Sequence, residues 1–62
     1  MTDILIIGGA ADGKRVGYLG RTARIDGEPY ILCRVDGVET YVPPGVGVEA
    51  VRNALRALGL VG

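Results

Sequence analysis

RTARIDGEPYILCRVDGVETYV, residues 21–42, decides the fold. Two Asp-Gly pairs, Asp26-Gly27 and Asp36-Gly37, punctuate segments rich in strand-forming residues. Asp-Gly suits a two-residue hairpin turn, whose central residues both need positive φ. With Asp36-Gly37 as such a turn, Val35 faces Val38, Arg34 faces Glu39, Cys33 faces Thr40, Leu32 faces Tyr41 and Ile31 faces Val42. Successive residues of a strand point to opposite faces, so one face carries Ile31, Cys33, Val35, Val38 and Val42. The other carries Tyr30, Leu32, Arg34, Glu39 and Tyr41, with Arg34 and Glu39 placed to pair across the strands. The earlier hairpin has two open registers. A three-residue loop at Asp26 to Glu28 puts Ala23 and Ile25 on the apolar face, and a two-residue loop turns them to the other.

Outward from this meander, Pro43 and Pro44 end the sheet because neither has an N–H to donate. Val46 to Leu58 then reads as a helix: Val48, Val51, Leu55 and Leu58 recur at intervals of three, four and three, with Ala54 beside them. Glu49 in the first turn and Arg56 in the last suit the helix dipole. Gly59 takes the left-handed position past the helix end, with Leu60 in the apolar position that follows. On the other side, Ile4 to Ile7 is an all-apolar run, expected to be buried on both faces or central in a small sheet. Asp12-Gly13 is a turn signal, and Lys14 to Leu19 is expected to return as a second strand weakened by Gly17. The expected fold is α+β: one domain over residues 1–62, with an antiparallel meander of three to five strands and one amphipathic C-terminal helix packed on one face.

The chain has 62 residues, 11 of them glycine, close to the smallest size at which a core suffices without staples. One cysteine and no histidine leave no disulfide and no metal-ligand cluster, so modest stability or help from a partner or self-association is expected. Seven basic and seven acidic residues give zero net charge, which argues against coating nucleic acid by charge alone. No secretory signal or membrane-spanning stretch is expected, and the free thiol fits the cytoplasm.

Two glycine patterns imitate nucleotide sites. An apolar strand running into Gly8, Gly9, Gly13 and Lys14 nearly spells a phosphate-binding loop. Arg15 stands where that loop needs Ser or Thr, and the residues after it read as strand rather than helix. Gly45, Gly47 and Ala50 fit the dinucleotide fingerprint at a helix start, but no strand–helix–strand unit surrounds them. The simpler role of Gly45 and Gly47 is to let the chain reverse after two prolines.

Catalytic chemistry finds few groups. The chain contains no serine and no histidine, and Cys33 is expected on the apolar face, where a thiol is a small core residue. Asp12, Asp26 and Asp36 each precede glycine in an expected turn, which accounts for them. No enzyme activity, cofactor or metal is expected.

Two surfaces are candidates for binding. Lys14, Arg15, Arg21 and Arg24, with Tyr18 among them and no acid in between, would make a basic strip with an aromatic platform suited to nucleic acid. Strand alternation places Arg21 and Arg24 on opposite faces and divides that strip. Tyr30, Leu32, Arg34 and Tyr41 form an apolar-aromatic set on the sheet face opposite the helix, and tyrosine and arginine concentrate binding energy at interfaces. Either this face is open to a protein partner, or the first strand or its loop folds over it and makes it core.

The run Gly8-Gly9-Ala10-Ala11-Asp12-Gly13-Lys14-Arg15-Val16 resembles the opening of a group of short phage-encoded proteins. In these a strand enters Gly-Gly-Pro-Ala-Asp-Gly, then a basic residue and a valine. Ala10 replaces the proline here, Tyr30 to Val35 corresponds to the tyrosine-containing strand of that group, and the Val46–Leu58 helix has no counterpart in it. The group lends no activity and no functional residue. The resemblance implies a viral accessory protein that binds a host target or forms a small part of a virion, in the host cytoplasm or the particle. The expected mechanism is non-enzymatic docking through Tyr30, Leu32, Arg34 and Tyr41, or through an edge strand that extends a partner's sheet. Nucleic-acid binding through residues 14 to 24 is the alternative.

Overall fold

Both Asp-Gly pairs turn as their chemistry requires, with φ of 52° and 81° at Asp26 and Gly27 and 51° and 80° at Asp36 and Gly37. The computed structural model describes residues 3–60. In chain order these form β1 (Ile4–Ile6), β2 (Arg15–Val16), β3 (Thr22–Ile25), β4 (Glu28–Val35), β5 (Val38–Val42) and α1 (Val48–Ala57). The β4–β5 register is the expected one at every pair from Ile31↔Val42 to Val35↔Val38. The β3–β4 hairpin takes the two-residue turn, pairing Ile25 with Glu28 and Ala23 with Tyr30. Ala23 and Ile25 therefore join the tyrosine face.

The fold is α+β, and its five strands form one curled, mixed sheet in the order β2-β1-β5-β4-β3. A wholly antiparallel meander does not form. β1 pairs antiparallel with β2 on one side and parallel with β5 on the other, Leu5 opposite Thr40 and Ile6 opposite Tyr41. The return strand expected over Lys14 to Leu19 shrinks to Arg15–Val16, because after Gly17 the chain leaves the ladder and crosses to β3 at the far edge. That crossing leaves the second edge of β1 to β5. All three residues of β1 are buried, as an interior strand with both faces covered demands.

The helix packs on the face carrying Val35 and Val42, where Leu5, Val51 and Leu55 complete a buried cluster and Cys33, Val38, Ile7 and Val46 close its margin. Burying Val51 and Leu55 contributes about 1.5–3 kcal/mol each. α1 is shorter than the expected Val46–Leu58: a turn at Pro43 to Val46 precedes it, and Gly47 is its N-cap. Its C-terminus closes as expected. Gly59, at φ 76°, donates to the Arg56 carbonyl at 3.0 Å, and Leu60 donates to that of Leu55 at 2.9 Å. Arg52 Nε reaches Asp36 Oδ2 at 3.1 Å and ties the helix to the β4–β5 turn. The raised pKa of Arg52 follows first from its hydrogen bond to Asp36, and then from the charges of Asp36 and Glu49. Thr40, wholly buried between the strands, is satisfied by donating to the Cys33 carbonyl at 2.9 Å.

Candidate functional site

The second face of the sheet is core. Ile4, Ile6, Ala11, Ile25, Tyr30 and Tyr41 form a buried cluster there, with Val16, Ala23 and Leu32 packed against it. Tyr30 is 1% exposed and Tyr41 0%, so the expected docking set does not stand open to a partner. Leu32 is half-buried, and of the four only Arg34 is exposed. This burial has a definite cause. With a single helix available, the chain covers this face with the loops before and after β2, and buried tyrosine hydroxyls supply their hydrogen-bond partners.

Each tyrosine holds one loop by a donor and an acceptor. Tyr30 Oη donates to the Gly8 carbonyl at 2.9 Å and accepts from the Ala11 amide at 3.1 Å. Tyr41 Oη donates to the Gly20 carbonyl at 2.7 Å and accepts from the Leu19 amide at 2.8 Å.

The residue 8–13 loop spends its amides internally. Gly8 N–H donates to Asp12 Oδ1 and Ala10 N–H to Glu28 Oε1, both at 2.7 Å, while Ala11 serves Tyr30. Carboxylates of the chain thus sit on amides that a phosphate-binding loop would offer to a nucleotide, and β2 rather than a helix follows. Gly9 is required twice over. Its φ is 73°, and a Cβ there would overlap Tyr30 Oη. The dinucleotide-like glycines fare no better: Gly45 has φ 92° in the turn after β5, and no strand follows α1 among the described residues.

The basic strip is dispersed. Lys14 Nζ pairs with Asp26 Oδ2 at 2.7 Å, and this hydrogen bond, reinforced by the Asp26 charge, raises the lysine pKa above its ordinary 10.5. Arg24 Nη1 donates to the Gly27 carbonyl at 3.1 Å. Arg15 lies opposite Leu5 and so projects to the helix side of β2, whereas Arg21 precedes β3 at the other edge of the sheet. Cys33 is half-buried beside the helix-side cluster. Among the described residues no group of three His, Cys, Asp or Glu is placed to hold a metal ion, and no helix is long and apolar enough to cross a membrane.

What the fold presents is the crossing loop from Gly17 to Gly20. Tyr18 is 64% exposed and Leu19 54%, side by side on a backbone anchored from beneath by Tyr41. Arg21 follows, exposed, and residues 13 to 25 contain no acid. Composition singles out Tyr18 as an aromatic among basic residues but not Leu19. The available signal is the Gly17 and Gly20 bracket, which marks a loop in which two large apolar side chains have nowhere to be buried. No family model matches this chain, and neither a curated protein nor a solved structure matches it.

Proposed function

We propose that this chain is a non-enzymatic protein-binding module that engages its partner through Tyr18 and Leu19, with Arg21 beside them. One observation carries this reading: two large apolar side chains are exposed on a loop that a buried tyrosine hydroxyl holds in place. An isolated exposed leucine is ordinary on any surface. Here the backbone is fixed before a partner arrives, so much of the ordering entropy of association is already met. Tyrosine is also among the residues that dominate interface energetics. Exposed Arg21 beside Tyr18 and Leu19 fits a partner with an apolar pocket bordered by acids. The likeness of residues 8–16 to short phage-encoded proteins supports an accessory role, directed at a host protein or within a virion.

The test compares capture by the purified chain with capture by Tyr18→Ala and Leu19→Ala. Each variant is expected to keep the parent's denaturation midpoint and lose a protein that the parent retains in moderate salt. Equal retention by all three would overturn the assignment to this loop. Binding of a single-stranded oligonucleotide with affinity falling steeply as salt rises would replace it with the nucleic-acid alternative.

A further inference from the structure

A cleft of about 470 Å³ separates the C-terminal half of α1 from β1 and β2, and no residue of the Gly17–Gly20 loop lines it. Leu5, Ile7 and Ala54, buried or half-buried, give it an apolar lining that exposed Leu58 and Leu60 extend. These two leucines are 60% and 41% exposed, a large apolar area for a surface with zero net chain charge to oppose association. The paired hydrogen bonds from Gly59 and Leu60 back to Arg56 and Leu55 fix the chain where it leaves the helix.

Among the described residues, the cleft's ionisable lining residues are Asp12 and Arg15, of opposite charge. Neither forms an ion pair among the described residues; Asp12 accepts from the Gly8 amide, and Arg15 is exposed.

We infer that this face is a self-association surface whose occupant is a second copy of the chain. In a two-fold dimer the same patch meets itself, so it must contain both halves of every contact. This patch does. It carries exposed leucines beside an apolar cleft that accepts them, and one acid beside one base. Related by a two-fold axis, Leu58 and Leu60 of each copy enter the other's cleft, and each Asp12 meets the other copy's Arg15. The inference is independent of the Tyr18–Leu19 loop, and either assignment can fail without the other.

Sedimentation equilibrium of the full chain from micromolar to millimolar concentration tests it. The expected result is a twofold rise in average mass, shifted to higher concentration by salt as exposed charge pairs are screened. Leu58→Glu is expected to weaken dimerisation on the order of tenfold or more, as loss of a central interface anchor does, while leaving helix content and the denaturation midpoint of the monomer unchanged. A charge reversal gives the stricter readout. Arg15→Asp places like charges together and should be monomeric, whereas Arg15→Lys keeps the charge at both contacts and should dimerise. A chain that stays monomeric throughout overturns the inference. So does a dimer that is indifferent to Leu58→Glu and to the charge reversal.

Discussion

The two faces of the sheet are closed by different physics. On one, α1 lays Val51 and Leu55 against Leu5, Val35 and Val42, a contact of apolar side chains that needs no hydrogen bond between layers. On the other, irregular backbone is the cover, and it brings polar groups that must be satisfied wherever water is excluded. Tyr30 and Tyr41 supply those partners while their rings fill the space beneath. A chain with one helix can thus cover both faces of a sheet, provided the second face carries side chains that are apolar in the body and polar at the tip. The same device leaves a rigid loop whose own apolar residues point outward.

Substitutions should separate the two modes of closure. The largest effect is expected on the helix face: Leu55→Ala leaves a cavity under α1 and should cost about 2–5 kcal/mol in urea denaturation. On the loop face, Gly9→Ala combines left-handed strain with overlap on Tyr30 Oη and should cost about 2–4 kcal/mol. Gly13→Ala, at φ 87° but with open space around the added carbon, isolates the strain and should cost less. An equal loss at both glycines would mean that contact with Tyr30 is not what fixes Gly9.

Tyr30→Phe and Tyr41→Phe keep the rings and strand pairing but orphan one loop amide and one carbonyl each, for about 1–3 kcal/mol apiece. Tyr41→Phe should also loosen Gly17–Gly20 and weaken partner binding without touching the partner. A neutral result in both would reduce the second face to ordinary apolar packing.

The smallest effect belongs to the Lys14–Asp26 pair, which is solvent-exposed on both sides. Lys14→Ala should leave the denaturation midpoint within error. The folded-state lysine pKa is raised above 10.5, so whatever the pair contributes is complete below that value and is lost as pH rises through the higher one. A midpoint flat from neutral pH to about 10 is the expected profile for this pair.

The same division runs through what the amino-acid sequence makes legible. The β4–β5 register could be read because Asp36-Gly37 fixes a two-residue turn and every pair follows from it by counting. The C-terminal close of the helix could be read because Gly59 and Leu60 are local signals, whereas its start, two residues later than Val46, could not. The parallel β1–β5 pairing could not, since Gly17 and Gly20 mark a loop but not that it crosses to the far edge of the sheet. Period 2 assigned Tyr30 and Tyr41 to a common face but carries no information on what covers it. A tyrosine suits an interface and a core equally well, and here the deciding partners, Gly8, Ala11, Leu19 and Gly20, lie about twenty residues away along the chain. Tyr18 and Leu19 acquire meaning only once Tyr41 is seen beneath them.

Amide hydrogen exchange at Ala11 and Leu19 tests most directly whether tyrosine hydroxyls hold the loops over the second face. Both amides should be protected nearly as well as those of the β4–β5 ladder. Tyr30→Phe should release Ala11 alone, and Tyr41→Phe should release Leu19 alone. Exchange of both amides at unprotected rates in the parent chain would contradict the account and leave that face uncovered.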